Sequence, residues 1–83
     1  MSVETDLKNI LDSVLSLQGR SADWQRGTPL LGAVPELDSM AVLGLITAME
    51  EGFAFTIHDD DIDSAIFATL GSLSDFVTAK LGG

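Results

Sequence analysis

Ser39 is the residue whose setting offers the most chemistry. It lies in Pro35-Glu36-Leu37-Asp38-Ser39-Met40, where a turn-forming proline leads into an Asp-Ser pair at the head of a helical run. A helix start leaves backbone N–H groups unpaired and carries partial positive charge, so a serine there is well placed to hold a phosphate. Taken alone, the pair also reads as an ordinary helix start with Asp38 as the N-cap. A hydrolase nucleophile has no support. The Gly-x-Ser-x-Gly elbow is absent, and no strand is expected before the serine. His58, the single histidine, reads as a surface residue rather than a general base for Ser39. The cluster Asp59-Asp60-Asp61-Ile62-Asp63 lacks the glycine and the distal glutamate of an EF-hand loop. Capping and surface charge fit it better, and no metal site is expected.

Composition narrows the classes further. A chain of 83 residues makes one small domain, expected to span 1–83. The apolar share of 46% is enough for a core and too high for a disordered chain. Without cysteine there is no disulfide and no thiolate metal site, so any thiol chemistry must come from a bound group. A formal charge of −9 disfavours nucleic acid and anionic membranes, and it favours partners with basic faces. The first residues lack the basic and apolar regions of a signal peptide, and Met40 to Met49 is too short to span a membrane. A cytoplasmic monomer without stable membrane insertion is expected.

The elements that must position Ser39 follow from apolar spacing. Val3, Leu7, Ile10, Leu11, Val14 and Leu15 recur at helical steps, predicting a first helix capped by Ser2 and ending near Leu17 to Gly19. The stretch 18–36 holds three glycines and two prolines but also Trp24, Leu30, Leu31 and Val34, so it reads as a long loop packed onto the core. The second helix is predicted over Ser39 to Glu51, with Val42, Leu45, Ile46, Met49 and Phe53 inward. Met40, Gly44, Thr47, Ala48 and Glu51 fall outward, with Ser39 and Leu43 at the boundary. Phe53 to Ile57 reads as a connector inserting Phe55 or Ile57 into the core. A short third helix is predicted to start at Asp59–Asp61, and a last helix after a capping box at Ser72-Leu73-Ser74-Asp75. Leu73, Phe76, Val77 and Leu81 form its apolar stripe, and Gly82-Gly83 reads as a frayed tail. The expected fold is all-α: a small four-helix bundle with a long loop after the first helix.

This pattern resembles the acyl carrier protein family, with its peptidyl and aryl relatives, over nearly the whole chain. Asp38-Ser39-Met40 matches the family's Asp-Ser-(Leu or Met) signature, and Glu50-Glu51-Gly52-Phe53 looks like the acidic end of its second helix. Ile57 with Asp59-Asp60-Asp61, and the stretch Phe67 to Val77, look like its third and closing helices. The resemblance implies that a phosphopantetheinyl transferase attaches 4'-phosphopantetheine from coenzyme A to Ser39. Asp38 would cap the helix and take part in recognition by that transferase. The chain would then be a discrete, non-catalytic carrier of acyl groups as thioesters between acyl-loading and acyl-transfer enzymes. Fatty acid, polyketide and exopolysaccharide-linked biosynthesis are the settings the resemblance covers. The Pro-Glu-Leu-Asp-Ser-Met form also resembles stand-alone carriers of exopolysaccharide and exosortase systems.

Two departures bear on docking. Glu36 stands where many fatty-acid carriers have glycine, and Ala41 and Gly44 are uncharged where their second helix is often acidic. The expected partner face is therefore Met40, Leu43, Gly44 and Thr47, with Glu50 and Glu51 guiding approach. Two alternatives stay open: an aminoacyl or peptidyl carrier using the same Ser39, and an unmodified adaptor using the exposed face of the second helix. A ubiquitin-like fold, raised by the terminal Gly-Gly, needs more strands than this chain offers.

Overall fold

The computed structural model describes residues 3–82, so the expected Ser2 cap and Gly83 lie outside the described residues. Helix α1 covers Val3–Leu15, α2 covers Ser39–Phe53 and α3 covers Leu70–Lys80. Helix α1 is the central element. Leu7 and Leu11, one turn apart, are wholly buried, and Leu15 and Leu17 continue the stripe. Both α2 and α3 pack on α1, while no Cα of α2 comes within 8 Å of α3. From α2 the core takes Leu45, Ile46 and Met49; from α3 it takes Leu70, Leu73 and Val77. Each such side chain contributes about 1.5–3 kcal/mol when fully removed from water. Val42, expected inside, is half-buried, and Leu81 lies beyond α3 and is exposed.

The long connector packs onto the core as its apolar residues predict. Leu30 and Leu37 are buried, Trp24 and Val34 pack against the core, and only Leu31 of the expected set is exposed. The connector also holds a 3₁₀ turn, Arg20–Asp23, that the breakers in the sequence had concealed. Its second half pairs antiparallel with the chain entering α3, around Pro29 and Thr69. Leu30 and Leu31 N–H donate to the carbonyls of Ala68 and Phe67 at 2.9 and 3.0 Å. In return Leu70 and Gly71 N–H donate to the carbonyls of Thr28 and Arg26 at 3.0 and 2.8 Å. The first donors of α3, which no helix can satisfy internally, are thus satisfied by the loop.

The approach at Gly71 is close. A Cβ there would sit 2.9 Å from the Arg26 carbonyl oxygen and 3.2 Å from the Arg26 Cβ. That contact, rather than backbone flexibility, explains the glycine.

Two expectations need correction. The capping box lies three residues earlier than expected: Thr69 is the N-cap of α3, its hydroxyl accepts from Ser72 N–H, and Ser72 Oγ accepts from Thr69 N–H, both at 3.1 Å. Serine in the third position does what glutamate does in the sequence signature. The short third helix exists as two 3₁₀ turns, Asp59–Asp61 and Ser64–Phe67. Asp63 caps the second by accepting from Ala65 N–H at 2.9 Å. Phe67 from this turn is buried in the core.

The two glycines make opposite predictions. Gly71→Ala forces backbone against backbone and lowers the unfolding free energy by about 1–3 kcal/mol. Gly44 is helical, and a Cβ there meets only the Val14 side chain at an ordinary 3.8 Å. Gly44→Ala therefore raises stability by up to about 1 kcal/mol. Chemical denaturation of both variants beside the parent chain reads both signs.

Candidate functional site

Helix α2 begins where the chain leaves an extended conformation at Asp38 (φ −102°, ψ −176°). The Asp38 carboxylate accepts from Ala41 N–H at 2.8 Å, and its carbonyl accepts the first intrahelical bond from Val42 N–H at 3.0 Å. The N–H groups of Ser39 and Met40 lie ahead of that ladder. Ser39 itself is exposed. The site therefore offers an accessible hydroxyl beside a carboxylate-capped helix end whose partial positive charge suits an anion.

The helix surface around it is apolar. Met40 is 79% exposed and Leu43 65% exposed, the two most open large hydrophobic residues among the described ones. Gly44, Thr47 and Glu51 are exposed on the same helix, and the Thr47 hydroxyl donates back to the Leu43 carbonyl at 3.2 Å. Glu50 is placed differently from its neighbours. It is half-buried, and its carboxylate accepts from Ile57 N–H at 2.8 Å. Its carbonyl accepts from Ala54 and Phe55 N–H, closing α2 through Ala54 in the left-handed region (φ 56°). Glu50 thus clasps the connector whose Ile57 is buried, while Phe55 sits half-buried against Phe53.

Two acidic residues after α2, Asp61 and Asp63, likewise have structural partners. Asp61 pairs with Lys80 at 2.6 Å and accepts from His58 N–H at 3.1 Å. The Lys80 ammonium first, then that N–H, hold the Asp61 carboxyl below its ordinary range. Among the described residues no group of three acidic or histidine side chains is placed to hold a metal ion. His58 is exposed.

Two contacts near the site had no signal in the sequence, because they join residues far apart in the chain. Asp12 of α1 accepts from Gly19 N–H at 3.0 Å and from the Ser21 hydroxyl at 2.9 Å, and these two donors lower its pKa in that order. Arg20 forms an ion pair with Glu36, which holds the Glu36 carboxyl below its ordinary range.

The all-helical domain with an exposed serine at the capped head of its second helix has the layout that the acyl carrier resemblance implies. The chain is similar in structure to a holo acyl carrier protein from Nitrosomonas europaea, solved by NMR in solution. The two share 48% sequence identity, the match covers 98% of this chain and 96% of that one, and the TM-score is 0.89. The chain belongs to the acyl carrier protein family. No family model and no curated protein matches it. Among the described residues no helix is long and apolar enough to cross a membrane.

Removal of the cap carboxylate in Asp38→Ala lowers stability by about 1 kcal/mol, measured by denaturant unfolding. Asp12 makes a pH-dependent prediction. Its folded pKa is depressed, so its contribution is complete above the ordinary carboxylate range and is lost as pH falls through the lowered value. Asp12→Asn should melt below the parent chain at about pH 7, and the gap should close in melts taken down to about pH 2.

Proposed function

We propose that this chain is a discrete acyl carrier protein bearing 4'-phosphopantetheine on Ser39. The observation that carries the proposal is the exposed Ser39 hydroxyl at a capped helix start, in a chain 48% identical to a holo acyl carrier protein. The residues present fit the group. A phosphodiester on Ser39 would meet the unpaired N–H groups at the head of α2, and no side chain covers the hydroxyl.

Attachment balances simply. The Ser39 oxygen bonds to the phosphorus that bears the pantetheine arm of coenzyme A. The bond from that phosphorus to the adenosine 3',5'-bisphosphate breaks, and the hydroxyl proton passes to the transferase. When bound, the group supplies the thiol that this cysteine-free chain lacks, and the thiol holds an acyl cargo as a thioester.

The chain's own part is presentation. Asp38 keeps the helix start in place and marks it for the transferase. Met40, Leu43, Gly44 and Thr47 form a mostly apolar docking face for the transferase and for acyl-loading and acyl-transfer enzymes. Exposed Glu51 steers basic partners toward it, whereas Glu50 stays with the connector. Docking on such a face is less sensitive to salt than docking on an acidic helix. The carrier itself makes and breaks no cargo bond, and a cytoplasmic monomer serving lipid, polyketide or exopolysaccharide-linked synthesis fits this role.

Incubation with coenzyme A, magnesium and a broad-specificity phosphopantetheinyl transferase should add the mass of one phosphopantetheine, and Ser39→Ala should abolish the gain. No gain with several transferases would leave the unmodified adaptor as the better account.

A further inference from the structure

The segment that presents Ser39 is braced from outside its own helix. Arg20, in the first 3₁₀ turn, donates from Nε to the Leu17 carbonyl at 3.1 Å and from Nη2 to the Glu36 carboxylate. Two directions of hydrogen bonding on one planar guanidinium fix its orientation. Glu36 lies two residues before the α2 cap, and its carbonyl accepts from Asp38 N–H at 3.2 Å. At the other end, Asp12 anchors the same turn to α1 through Gly19 and Ser21. A line of polar contacts therefore runs from the last turn of α1 to the residue that caps α2.

We propose that the Arg20–Glu36 ion pair positions the modification site, holding the segment 34–38 in the pose that a phosphopantetheinyl transferase reads. The proposal rests on Ser39 being the attachment site. The two side chains are 56% and 35% exposed, and an ion pair that open adds little to global stability. Its effect is local order. A segment already held in its bound conformation loses less freedom when a partner docks. One Glu36 carboxylate oxygen, Oε1, is already shielded from water and without a hydrogen-bond partner among the described residues, and loss of Arg20 would strip the partner from the other oxygen too. Such a group is driven to swing out to solvent, and the segment is released with it. Glu36 and Arg20 touch neither the reacting phosphorus nor the Ser39 oxygen in this account; they act through the backbone of Leu37 and Asp38.

The test is steady-state modification with coenzyme A and the transferase over a range of carrier concentrations. The variants are Arg20→Gln, Glu36→Gln and the swap Arg20→Glu/Glu36→Arg. Arg26→Gln and Asp75→Asn serve as controls, because they make the same charge changes at the exposed Arg26–Asp75 pair. Each single variant of the Arg20–Glu36 pair should raise the KM for the carrier about fivefold and leave kcat within about twofold. The swap should recover most of the loss, and the controls should stay at the parent value. Melting temperatures taken alongside separate local order from global stability. A parent-like KM in both single variants overturns the proposal. So does a rise that the charge-matched controls share, or a swap that restores melting but not KM. If a single variant fails to fold, the swap decides by the same criterion. A parent chain that gains no mass sinks the attachment reading and this proposal with it, whereas modification of every variant at the parent KM sinks only the positioning role.

Discussion

Four backbone hydrogen bonds between the connector and the head of α3 hold this molecule in shape. They turn a segment rich in glycine and proline into part of the core, because they fix Leu30 where it is wholly buried. They also satisfy the first N–H groups of α3 without spending side chains on them. The condition for this is a backbone approach so close at Gly71 that no larger residue fits. Thr69 and Ser72 then complete the helix start, and Ser72 Oγ reaches back to the Ile66 carbonyl at 2.8 Å. The last helix, the second 3₁₀ turn and the connector are thereby assembled around one junction.

The site at Ser39 depends on that assembly at one remove. With the connector pinned at residues 26–31, its remaining stretch must reach the head of α2 along a set course. Leu37, buried beside the cap, and the ion pair at Glu36 fix where that course ends. The serine needs no special backbone geometry of its own. It is exposed together with Asp38 and Met40 on either side, while Leu37 just before the cap turns inward.

Much of this was legible in the residues. The period of α1, the inward face of α2 and the cap at Asp38 are local patterns, and local patterns survive without knowledge of the fold. The family resemblance rested on the same kind of signal. What escaped was decided by contacts between distant residues. The start of α3 was misplaced because Ser72-x-x-Asp75 matches the capping-box pattern better than Thr69-x-x-Ser72 does. The loop pairing at Leu70 and Gly71 favoured the earlier start. Glu50 read as a docking residue from its place at the acidic end of the second helix; the return of the chain at Ile57 gives its carboxylate a backbone partner. The braces at Asp12 and Arg20 join residues that no periodicity links.

Helices α2 and α3 both rest on α1, and no Cα of one comes within 8 Å of the other. Their buried side chains nonetheless belong to one core, with α1 as its spine. The outer face of α2, with Met40, Leu43 and Thr47 exposed, takes no part in that core. Side chains on that outer face can therefore change without disturbing the packing that secures the loop. A fold on such a plan tolerates change on one surface more readily than in its interior.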